Sequence, residues 1–253
     1  MFVIRKALVF LNPILFIIGL EVVFRNKDYW WIALVVSIVL LLLTIWDFTK
    51  RKLNFRFLNF LLSPLLFLLI SYWFIFFINT ELYFRLIYSV VALFQLVLLD
   101  QVLNYFYFAS KYQPYTLENL VFYQNLLAGF FIFSSLFSTM IFLRLNIFIL
   151  LFIVYTLSLA MIYSIYWSHK IIWAKSKLFI FIVPLILLEL FWAVSYLPFN
   201  YYVNGILMAV FLYVLVGLGK LFLQESLNKK QIINYLVVAV ISIILIVFSA
   251  QWS

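Results

Sequence analysis

Nine apolar runs of roughly twenty residues follow one another along the chain, each long enough to cross a hydrocarbon layer about 30 Å thick as an α-helix. Charged and turn-forming residues separate them. The expected spans are 7–24, 29–48, 57–79, 82–108, 119–142, 145–167, 178–199, 201–222 and 232–250. In lipid every backbone N–H and C=O must be satisfied within the protein, so spanning segments are helices or closed barrels, and nothing here alternates like a barrel strand. The pattern therefore predicts an all-α polytopic transmembrane helix bundle. Leaving out the first run gives eight spans with the remaining orientation unchanged.

Composition agrees: 69% of the 253 residues are apolar and 10% charged, against roughly 45–50% and 25% in soluble domains. No stretch is polar enough to build a separate soluble core, so residues 1–253 read as one integral membrane domain. Arg5 and Lys6 ahead of an apolar run resemble a signal peptide, but no small-x-small cleavage site precedes Glu21 and Arg25, and the segment reads as a retained first span.

The basic residues orient the spans, because Lys and Arg gather in the cytoplasmic loops. With the N-terminus inside, thirteen of the 17 fall in inner segments: Arg5 and Lys6; Lys50, Arg51, Lys52 and Arg56; Lys111; Lys170, Lys175 and Lys177; Lys220, Lys229 and Lys230. Only Arg25, Lys27, Arg85 and Arg144 fall outside, and the C-terminus is expected outside too. Trp30, Trp31, Trp46, Trp167 and Trp252 lie at expected span ends, where an indole is half buried and half wet. The expected location is a plasma or inner cell membrane.

A net charge of +9 scattered between apolar runs forms no basic stripe with stacking aromatics, which argues against nucleic acid as a partner. The basic inner loops suit an anionic lipid or a protein partner instead, and the inner loop 168–177 could lie along the headgroups. Cysteine is absent and histidine occurs once, at position 169, so disulfides, thiolate chemistry and the usual zinc sites are excluded. No zinc-protease helix, nucleophile elbow or phosphate loop is present, and no catalytic, metal or cofactor residue is assigned.

A carboxylate in hydrocarbon is costly, so the eight acids are the most informative residues. Glu21, Asp47, Glu81 and Glu225 each precede a base by four positions near a span end, which favours i,i+4 pairs with Arg25, Arg51, Arg85 and Lys229. Asp28 lies in a loop, and Glu118 is in the first turn of the fifth span, where the helix end is positive. Asp100 and Glu189 lack such an explanation. Counted along their spans, they lie on the order of 12 and 16 Å from the inner ends, a similar depth.

Asn104 shares a face with Asp100, and Asn12, Gln124 and Asn125 reach comparable depth, so a hydrogen-bonded cluster lining a substrate or ion pathway is one expectation. The plainer one is that these groups join helix to helix. Pro64 and Pro184 read as kinks beside such groups. The five glycines suggest few close helix contacts, and no internal repeat is visible. Three functional classes follow: a small-solute or ion transporter using Glu189 and Asp100, a membrane-embedded scaffold or accessory subunit, and a lipid-modifying enzyme with those acids as acid and base.

Overall fold

The computed structural model describes residues 2–78, 80–108, 110 and 112–249. Asn79, Lys111, Ala250 and Trp252, used above for boundaries and orientation, lie outside the described residues. Among those described there are no strands, and nine helices are long and apolar enough to cross a membrane. They are α1 Phe2–Arg25, α2 Trp30–Phe48, α3 Phe55–Ile75, α4 Glu81–Tyr107, α5 Thr116–Leu143, α6 Ile147–Ser168, α7 Trp173–Val194, α8 Tyr201–Leu223 and α9 Lys229–Ser249. This is a multi-pass α-helical membrane protein.

Four helix starts are fixed by local side-chain chemistry. Asn54, Asn146 and Asn200 cap α3, α6 and α8, their side chains accepting from the backbone N–H of Phe57, Phe148 and Tyr202 at 3.0, 2.9 and 3.1 Å. At α9 the Asn228 side chain accepts from the Gln231 N–H at 2.9 Å while Gln231 Oε1 accepts from the Asn228 N–H at 3.2 Å, a reciprocal capping box. Each cap satisfies a donor that lipid could not.

The ends of α2, α6 and α8 share one device. The N–H groups of Arg51, Ile171 and Ser226 reach back to the carbonyls of Trp46, Tyr166 and Leu221 at 2.9, 3.1 and 3.0 Å. The residue before each donor is left-handed: Lys50, Lys170 and Glu225 have φ of 58°, 57° and 56°. Glycine usually fills this position. Here charged residues do, and no glycine has positive φ.

The glycines are spent on packing, contrary to the expectation that their scarcity limits close approach. A Cβ on Gly205 of α8 would strike the side chain and backbone of Ser134 on α5, and one on Gly19 of α1 would sit 3.2 Å from the Ala33 Cβ on α2. Small residues bring helices together where lipid offers no hydrophobic drive.

The chain forms two compact units, residues 1–124 and 125–253. In the first, α1 packs on α2 and α4, and α3 on both α2 and α4. Antiparallel order is fixed at both ends. Arg5 at the start of α1 pairs with Asp47 at the end of α2 at 2.9 Å, while Glu21 near the end of α1 meets Arg85 near the start of α4 at 3.5 Å. In the second unit α6, α7, α8 and α9 pack in sequence, and Ala239 is the one buried residue of α9 among those described.

Candidate functional site

Four of the five residues singled out as a pathway are engaged with different partners. Asn104 Nδ2 donates to Asp100 Oδ2 at 3.0 Å, so Asp100 has a partner one turn along its own helix, and both are half-buried. Ser63 donates to Gln124 Oε1 at 3.5 Å in the first unit, and Ser164 to Asn125 Oδ1 at 3.3 Å in the second. Asn12 donates to Thr44 Oγ1 at 2.6 Å. These bonds join α3 to α5, α6 to α5 and α1 to α2, the helix-to-helix role.

Glu189 departs from expectation in both depth and direction. The helix α7 begins at Trp173 and not at residue 178, because Lys175 and Lys177 can extend their charges to the interface while their backbone stays helical. The connection between α6 and α7 shrinks accordingly. Glu189 then lies about 24 Å from the Trp173 end and about 8 Å from the Val194 end of α7, whereas Asp100 is about 10 Å from the Tyr107 end of α4. Counted along their own helices, the two acids stand at unequal distances from the ends expected inside.

The Glu189 side chain is exposed, and the described residues offer it no hydrogen bond or ion pair. Ile182, Leu185, Ile186 and Trp192 share its face and are 36–51% exposed, while Ile180, Val183, Pro184, Leu187 and Phe191 form the buried side. An acid thus stands on the apolar outer face of a membrane-length helix.

Five of the six remaining acids are tied near the helix ends, two of them to other partners than expected, and the exposed Asp28 carboxylate has no partner among the described residues. Glu21 engages Arg85 and accepts from the Tyr88 hydroxyl at 2.9 Å, where Arg25 was the expected partner. Glu225 binds Lys175 at 2.7 Å and not Lys229, because the helix stops at Leu223 and i,i+4 geometry needs an unbroken helix. Glu81 meets Arg85 at 2.6 Å as expected. Buried Glu118 accepts from the Tyr112 hydroxyl at 3.1 Å, and burial, followed by the charge of Glu118, pushes the Tyr112 pKa up to about 12.

Asp47 organises the end of the first unit where α1 begins and α2 stops. Its Oδ2 accepts from Arg5 Nε at 2.9 Å, its Oδ1 from Arg51 Nε at 3.4 Å, and its backbone carbonyl from the Tyr107 hydroxyl at 3.2 Å. The Arg5 guanidinium lies 4.0 Å above the Tyr107 ring and that of Arg51 5.9 Å from the Trp46 ring. A cavity of about 620 Å³ opens among these residues.

Two features had no counterpart in the sequence reading. Arg5 sits far from Asp47 in the chain, so no local spacing could reveal their pairing. Gln95, 1% exposed on α4, has neither amide atom hydrogen-bonded; its mid-span polarity was the available signal. No group of three or more metal-ligating side chains occurs among the described residues. Compared with protein-family models, curated proteins and solved structures, the chain matches none.

Proposed function

We propose that this protein is a subunit of a membrane complex, and that the outer face of α7 receives a transmembrane helix of a different chain. The observation that carries the reading is Glu189, exposed and without a partner among exposed Ile182, Leu185, Ile186 and Trp192. A carboxylate held in hydrocarbon costs on the order of 2 to 3 kcal/mol on insertion scales, and a donor on a neighbouring helix offsets that cost. The expected partner carries an arginine, lysine or side-chain amide at the level of the outer half of α7. A second copy of this chain is the poorer fit, since a symmetric α7 contact sets acid against acid. Transport relied on Glu189 and Asp100 facing one interior, and Glu189 on the outer face withdraws support from it.

A photo-reactive amino acid at position 186, on the Glu189 face, tests the proposal in native membranes. The expected result is an adduct with one other membrane protein, lost in Glu189→Leu, while the same probe at position 245 on exposed α9 gives no such adduct. Adducts with lipid only, adducts indifferent to Glu189→Leu, or an adduct with a second copy of this chain would overturn it.

A further inference from the structure

The inner cavity of the first unit has the chemistry of a phosphate site with an apolar approach. Arg5, Lys50 and Arg51 line it against the single carboxylate of Asp47, three positive charges to one negative. Asp47 engages both arginines through Nε, leaving their terminal nitrogens with no protein acceptor among the described residues, and the Lys50 ammonium has none either. Tyr107 and Trp46 brace the two guanidiniums. Arginines pre-set in this way present paired donors to tetrahedral oxyanions.

Backbone geometry adds a second feature at Arg51. Lys50 and Arg51 are consecutive left-handed residues, with φ of 58° and 60°, a conformation that disfavours side chains larger than glycine. The left-handed Lys50 belongs to the helix-ending device shared with α6 and α8, and Arg51 is the residue that goes beyond it. Here the strain sets two cations side by side on the cavity rim.

The apolar wall indicates the source of the phosphate. Leu8 and Leu43 line the cavity beside the charges, and Leu43 begins a stripe on α2 that continues through Val39, Val36 and Ile32, all 39–49% exposed. At positions four, three and four residues apart these side chains form one continuous track along the helix. The cavity lies at the end of α2 bearing Lys50 and Arg51, the side that the basic residues assign to the cytoplasm.

We infer that this cavity binds the phosphate of an anionic phospholipid of the inner leaflet, with an acyl chain lying along the Leu43–Ile32 track. Lys50 is the residue to vary, because it can be neutralised without breaking a protein contact. Native mass spectrometry of the purified protein with dioctanoyl phosphatidylglycerol, dioctanoyl phosphatidylcholine and inorganic phosphate distinguishes the ligands. The expected result is at least tenfold tighter retention of the glycerol lipid than of the choline lipid. Lys50→Gln should reduce that retention at least fivefold with an unchanged melting temperature, and inorganic phosphate alone should compete only at far higher concentration. Equal retention of the two lipids, retention indifferent to Lys50→Gln, or inorganic phosphate competing as well as the lipid would each overturn the assignment.

Discussion

The two units hold their helices together by different means. In the first, polar side chains link α1 to its neighbours at several levels: Arg5 to Asp47, Asn12 to Thr44 and Glu21 to Arg85. Ser37 and the Tyr72 hydroxyl add a bond between α2 and α3 at 3.0 Å. In the second, close packing carries more of the task. Gly205 lies against Ser134, Gly219 against the Tyr166 hydroxyl, and Phe137 stacks on Phe191 with ring centres 4.3 Å apart. In the first unit Asp47 and Glu21 are turned toward neighbouring helices, while the second leaves Glu189 on an outer face. The difference separates an acid used to build a fold from one available to another molecule.

The largest expected effect comes from the close packing. Gly205→Ala should destabilise the second unit by about 2 to 3 kcal/mol, because the added methyl meets the Ser134 backbone as well as its hydroxyl and the helices must separate. Thermal unfolding in lipid discs measures this, and Ser134→Gly should restore only part of the loss. A neutral Gly205→Ala would break the contrast between the units. Next is Asp47→Leu, which removes the acceptor of two arginines at a site only 17% exposed and should cost about 2 kcal/mol. Glu189→Leu should leave the melting temperature of the isolated protein unchanged or raised, since no contact is lost. If Glu189→Leu proves as destabilising as Asp47→Leu, the distinction between a building acid and a docking acid fails.

Much of the fold was legible in the sequence because lipid makes severe demands: each apolar run must be a helix, and basic residues mark one set of loops. What was not legible depends on local or distant geometry. Hydropathy placed the starts of the third and ninth spans two and three residues late, whereas Asn54 and Asn228 stand immediately before the observed starts. The start of α7 was missed because Lys175 and Lys177 look like loop residues, although long basic side chains are tolerated near a helix end, where they reach the interface. The outward turn of Glu189 was hidden for another reason. Apolar residues surround α7 on all sides, so no polar stripe distinguishes its buried face from its exposed one. Asp47 was correctly paired with Arg51 by spacing, but Arg5 reaches it only through the packing of α1 on α2.

A smaller effect tests whether the first unit's polar links are additive. Asn12→Leu removes one interhelical hydrogen bond and should cost about 0.6 kcal/mol, the average for such bonds inside membranes. Combined with Asp47→Leu, the losses should be more than additive if the two bonds align the same pair of helices, α1 and α2. Strict additivity in thermal unfolding would show instead that each contact acts alone.

The smallest effect concerns the charged tie of the second unit, between Lys175 at the start of α7 and Glu225 after α8. The hydrogen bond and charge of Lys175 hold the Glu225 carboxyl below its ordinary value of 4.5. Because the folded pKa is depressed, the stabilising contribution is complete above the unfolded value and is lost as pH falls through the folded one. The tie should therefore be constant near neutrality and weaken only in the acid range below about pH 4. Both side chains are more than half exposed, so water and salt screen the attraction and the contribution stays small. Melting curves of the wild type and Glu225→Gln should differ slightly at neutral pH in low salt and converge at acid pH or in high salt. A difference that persisted in acid would show that Glu225 acts through the shape of the turn it occupies, where φ is 56°, and not through its charge.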